Sequence, residues 1–159
     1  MDPATILSVT ATCAKLAKTA WDLGEALYTF TRDAKVINKT LSALIEQSRA
    51  VRDPCELLAG FLEGVGQDIV AHPAWATTCH GAQLGNTLRV LQRQLTGCEA
   101  TLESLCKTTE GIRSTDTASA KKAWATFKFN LCKESMLEHR AQLSLHLTAL
   151  NTSLHILTW

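Results

Sequence analysis

Apolar residues recur along this chain at alternating spacings of three and four, and that rhythm commits it to helices. The cleanest run is Leu84, Leu88, Leu91, Leu95, Cys98, Leu102 and Leu105. A second runs Ile6, Val9, Cys13, Leu16, Ala20, Leu23, Leu27 and Phe30, and a third Ile37, Leu41, Leu44, Ser48 and Val51. The last is Met136, Arg140, Leu143, Leu147, Leu150, Leu154 and Leu157, with the stem of Arg140 at the seam edge and its charge in water. Narrow seams of this kind bury against one another. The spacing therefore predicts an all-α, up-and-down helical bundle of four main helices plus one or two short ones.

Local signals set the boundaries. Helices are expected at about 3–31, 34–52, 54–70, 82–109, 119–129 and 131–158, within one domain spanning 1–159. Asp2 and Pro3 suit the N-cap and first position of the leading helix. Asp53-Pro54, with Glu56 three residues after the cap, repeats that signal. Gly60, Gly64 and Gly66 weaken the piece that follows, and His72-Pro73 ends it. Gly111 stops the Leu84–Leu105 helix ahead of a polar loop, and Trp124 with Phe127 plugs one end of the bundle. At 46% hydrophobic and 19% charged residues the chain is globular, and folding at this length buries roughly 70% of the unfolded surface.

The net charge of +1 gives no electrostatic case for nucleic acid. The six cysteines form no C-x-x-C pair and sit mostly on apolar seams, which reads as small buried hydrophobes in a reducing compartment rather than a disulfide framework. The glycine cluster fits neither phosphate-loop pattern. His139 and His146 share a helix face, but no histidine pair has metal-ligand spacing. No nucleophile motif stands out and nothing selects a carboxylate pair, so no enzyme, cofactor or metal is expected. No run of 18 uncharged apolar residues exists to span a bilayer, and the N-terminus lacks a secretory signal's basic region.

Two features point outward. Lys35, Lys39, Arg49 and Arg52 form a loose basic group that could attract anionic lipid, at about 1 kcal/mol per residue near a charged surface. The stretch from Pro3 to Ala14 carries no charge, so it is either a buried helix or one able to leave the bundle for a bilayer.

Met1-Asp2-Pro3 ahead of an amphipathic helix, Ala123-Trp124-x-x-Phe127-Lys128, and the closing Met136-Leu137…Leu143-Ser144-Leu145-His146-Leu147…Leu154 together resemble the fungal HeLo-like domain. That domain heads fungal STAND receptors with NACHT-type NTPase modules. It is similar to the four-helix domain of the mixed-lineage kinase-like necroptosis effector and to plant cell-death bundles. The resemblance implies a cell-death effector of the kind at work in heterokaryon incompatibility and innate immunity. A fused or separate receptor would oligomerise it in the cytoplasm. Its N-terminal helix would then permeabilise the plasma membrane through anionic lipids, with Ile6, Leu7, Val9, Cys13, Leu16 and Leu23 as the membrane-active positions. The alternative is a non-lytic interaction and oligomerisation domain of such a receptor. A third reading is a bundle that binds a small molecule in an internal cavity.

Overall fold

The computed structural model describes residues 3–33, 38–113 and 121–158, without the side chains of residues 75, 76, 79, 80, 111–113 and 121–132. The protein is an all-α bundle. Helix α1 spans Pro3–Asp33, α2 Lys39–Ala50, α3 Arg52–Ala71, α4 Cys79–Arg113 and α5 Lys121–Thr158, with a 3-10 turn at Pro73–Thr77 between α3 and α4.

The seams read from the sequence are the core. Ile6, Val9, Cys13, Leu16, Ala20, Leu23 and Leu27 of α1 are buried, as are Leu41, Leu44, Ser48 and Val51. On α4 Leu88, Leu91, Leu95, Cys98, Leu102 and Leu105 lose all contact with water, while Leu84 is half-buried. On α5 Met136, Leu143 and Leu150 are buried and Arg140, Leu147, Leu154 and Leu157 sit at the edge.

Pro54 has no N–H to give the carbonyl four residues back, so one long rod is interrupted near Val51. Val51 keeps helical angles (φ −68°, ψ −27°), and α2 and α3 follow one another as two legs of a kinked rod. Both legs run antiparallel to α1: Gly24 meets Ile45 and Arg49 at one end, and Ile6 meets Gly66 at the other. Asn38 caps α2 by accepting a 2.8 Å hydrogen bond from the Thr40 backbone N–H. The expected Asp53 cap does not form; the cap position falls on Val51, with no side-chain bond. The three glycines leave α3 unbroken to Ala71, where Pro73 drives His72 out of helical angles (φ −133°, ψ 75°).

Other boundaries also differ from expectation: α2 begins at Lys39 rather than near 34, because Asn38 is extended (φ −138°, ψ 127°). Gly111 lies inside α4, which starts three residues earlier than expected and reaches Arg113. The expected pair 119–129 and 131–158 is one helix, because no proline or glycine between Lys121 and Thr158 interrupts the backbone ladder. The Asp2 cap and residues 34–37 lie outside the described residues, as do the side chains of Trp124 and Phe127.

Helix directions alternate, but neighbours in sequence are not always neighbours in space. α1 packs on α2, α3 and α4, and α5 packs on α2, α3 and α4, while among the described residues α1 with α5 and α3 with α4 do not pack. The four rods thus form a square in which the Pro73–Thr77 turn carries the chain across a diagonal, touching both α3 and α4. The leading helix occupies a corner, with one face inward and the other outward.

Candidate functional site

Along α1 the chemistry changes at residue 15. From Pro3 to Ala14 there is no charge, and the hydroxyls of Thr10 and Thr12 serve their own helix: Thr10 donates to the Ile6 carbonyl at 2.8 Å and Thr12 to the Ser8 carbonyl at 2.9 Å. Beyond that point ion pairs tie the helix to its neighbours. Lys15 pairs with Glu99 of α4, and Glu25 accepts from Arg49 of α2 at 2.7 Å. The first half of α1 is therefore held by apolar burial, and the second half by burial and charge together.

The outer face of that first half is not smooth. Leu7 is 75% exposed, and across from it on α3 Val70 is 74% exposed. Between them runs an open groove lined by Pro3, Ile6, Leu7, Leu62, Gly66 and Val70, in which Glu63 is the one charged wall residue among the described residues. Five of the six expected membrane-active positions, Ile6, Val9, Cys13, Leu16 and Leu23, face inward on the seam, and Leu7 faces outward. A helix turns about 100° per residue, so Ile6 and Leu7 cannot share a face.

The basic group does not assemble into a free patch. Lys35 lies outside the described residues, and Lys39 is exposed at the start of α2. The Arg49 guanidinium, bound to Glu25, lies 5.7 Å from the Trp21 ring and 5.0 Å from the Tyr28 ring. Arg52 pairs with Glu56 at 2.7 Å and lies over the Trp21 ring, 4.7 Å from its centre. Each arginine is matched to a carboxylate and an aromatic face, which fastens α1 to the α2–α3 rod. Gly24 makes this possible, since a Cβ there would stand 2.8 Å from Arg49 Cγ. Sequence reasoning missed the cluster, although Trp21, Gly24, Glu25 and Tyr28 share the helical spacing of a second stripe.

The histidines on α5 face α4. His146 Nε2 lies 3.1 Å from Thr101 Oγ1, and its ring packs against Gly97, where a Cβ would stand 3.0 Å from Cε1. Burial holds its proton affinity below the ordinary histidine value. The unfolded chain therefore binds this proton at a higher pH than the bundle does. Stability from this residue is complete above the ordinary range and falls as pH drops through it towards the lowered value. Urea unfolding from roughly pH 7.5 to 5 should show a falling midpoint, and His146→Gln should flatten that fall.

His139 Nε2 stands 3.3 Å from both Ser104 Oγ and Ser135 Oγ. A serine beside a histidine supplies two of the three members of a nucleophilic triad, but His139 Nδ1 is buried without a hydrogen-bond partner, so among the described residues no carboxylate orients the ring. Among the described residues no three His, Cys, Asp or Glu side chains converge as a metal ion requires, and no helix is long and apolar enough to cross a membrane.

Fold and surface together define a helical bundle whose leading helix is fastened by charge over only part of its length. No family model, no curated protein and no solved structure matches the chain.

Proposed function

We propose that this chain is a cell-death effector domain that permeabilises membranes through its N-terminal helix after induced oligomerisation. The observation that carries the reading is the split along α1. Residues 3–14 have no charge, and Thr10 and Thr12 return their hydroxyl protons to their own backbone. Such a helix can leave one apolar surface for another without stranding those groups. Leaving α3 exposes Ile6, Val9 and Cys13, at about 1.5–3 kcal/mol for a large apolar side chain. Only burial of the same face elsewhere offsets that.

Residues 3–14 extend about 18 Å, short of a hydrocarbon core of roughly 30 Å. The mode that fits is a helix lying in the lipid interface with Ile6, Val9, Cys13 and Leu16 downward. Many copies held together would thin and breach the bilayer, whereas one would bind weakly. The resting bundle would be cytoplasmic, with a STAND-type receptor supplying the clustering. Because Arg49, Arg52 and Lys15 are already paired, attraction to anionic headgroups would rest on Lys39 and on Lys18 of α1.

Clustered through a fused oligomeriser, the chain should release dye from anionic vesicles, and deletion of residues 2–14 should remove at least about nine-tenths of that release while the rest stays helical. Release that survives the deletion would overturn the reading. A second reading, a non-lytic oligomerisation domain of the same kind of receptor, is favoured by the groove between Leu7 and Val70, which could seat a partner helix. Self-association without vesicle binding in either state would decide for it.

A further inference from the structure

Three thiols from three helices meet at one level of the bundle. With Ile6 against Gly66, the antiparallel run of α1 and α3 brings Cys13 within about a turn of Cys55. The Lys15–Glu99 pair sets α4 beside the same level and brings Cys98 there. All three are 0% exposed. Burial pushes the Cys13 and Cys98 thiols up to about 11, and burial followed by the neighbouring thiols pushes Cys55 further in the same direction. Docked, the three are protonated and out of reach, and so inert.

We propose that Cys13, Cys55 and Cys98 form a modification site for small disulfides of the glutathione type, sealed while α1 is docked, and that an adduct on Cys13 holds the bundle open. The inference rests on α1 leaving α3, as proposed above. Once in water, Cys13 titrates as an ordinary thiol. Its thiolate attacks one sulfur of the disulfide; the new S–S bond forms, the reagent's S–S bond breaks, and the released thiolate leaves with the electron pair and takes up the proton that Cys13 gave up. The adduct then occupies a position with no exposed surface and no room for a tripeptide. The helix cannot return without burying polar groups that find no partners. A thiol reductant removes the adduct and lets the bundle close, so the modification would record that the bundle has opened.

The test uses oxidised glutathione and the full chain. In buffer, adducts mapped by mass spectrometry should form on Cys13, Cys55 and Cys98 at least about tenfold more slowly than in urea. After urea is removed, the adducted chain should stay helical but expose α1 to protease, and dithiothreitol should restore protection. Equal labelling rates in buffer and urea, or an adduct on Cys13 with α1 still protected, would overturn the proposal. A Cys13→Ala, Cys55→Ala, Cys98→Ala chain whose α1 is protected before treatment should reclose after it, and failure to reclose would place the trap elsewhere and overturn the proposal. The two readings separate cleanly. An adducted chain that holds α1 out yet releases no dye when clustered overturns the membrane reading alone. One that releases dye when clustered yet recloses over the adduct overturns the trap alone.

Discussion

Leu16→Ala should lower the unfolding free energy of this bundle by about 3 kcal/mol, and Leu7→Ala, nine positions away on the same helix, by no more than about 0.5 kcal/mol. Both replace a leucine on α1 with alanine, so the helix propensity change is the same. The difference is burial. Leu16 is 1% exposed at the seam facing the core, and Leu7 is 75% exposed at the groove. Truncating Leu16 removes apolar area and leaves a hole that surrounding leucines fill only in part. At this chain length the loss corresponds to a fall in Tm of roughly 6–12 °C, well outside error in a thermal melt. Because Leu16 sits where the ion-paired half of α1 begins, part of the loss should appear as easier undocking of the first half. A small effect at Leu16 together with a large one at Leu7 would mean that the inward face of α1 is misassigned.

The second large effect is expected at Gly24. Here α1 passes so close to α2 that a Cβ would stand 2.8 Å from Arg49 Cγ and 3.4 Å from the Ile45 carbonyl oxygen. Alanine gains up to about 1 kcal/mol in helix propensity over glycine, and that gain competes with moving a side chain pinned between Glu25, Trp21 and Tyr28. The two roughly cancel for Gly24→Ala. Leucine gains no more propensity but needs several times the space, so Gly24→Leu should lose about 1–3 kcal/mol by prising α1 from α2. Gly60→Ala is the control. Nothing stands within 4 Å of its Cβ position, and Gly60 lies exposed inside α3. That substitution should raise stability by about 0.5–1 kcal/mol in the same urea titration.

The core was legible because burial on a helix follows its period. Leu88 to Leu105 and Ile6 to Leu27 can be read as buried stripes without knowing what faces them. The order of rods around the square was not legible, because periodicity says which face is buried and not against which partner. The packing of the folded helices, with α3 and α4 apart and the Pro73–Thr77 turn bridging them, reveals the diagonal crossing. One helix end was placed too early, at Gly111, which lies inside α4. Gly60, Gly64 and Gly111 are tolerated because neighbouring hydrogen bonds and packing outweigh a propensity loss of about 1 kcal/mol each.

The surface was harder to read than the core. Arg49 and Arg52 look from the sequence like free cations in a basic run. Their carboxylates, Glu25 and Glu56, lie on a different helix in one case and a turn away in the other. The signal that could have found the first pair is the match between Trp21, Glu25 and Tyr28 on α1 and Ile45, Arg49 and Arg52 on the partner rod, two stripes of equal spacing and complementary chemistry. Leu7 was grouped with Ile6 and Val9 because all three are apolar, although its position on the helix turns it away from them.

The membrane-active reading requires the first half of α1 to leave α3, and a removable tether tests that step directly. Ile6 Cγ2 lies 3.7 Å from where a Cβ on Gly66 would be, so an Ile6→Cys, Gly66→Cys chain places two thiols within reach of each other across the α1–α3 contact. Clustered on anionic vesicles, this chain should release no dye while oxidised and should regain release on reduction. Release at the full rate from the oxidised, tethered chain would contradict the account.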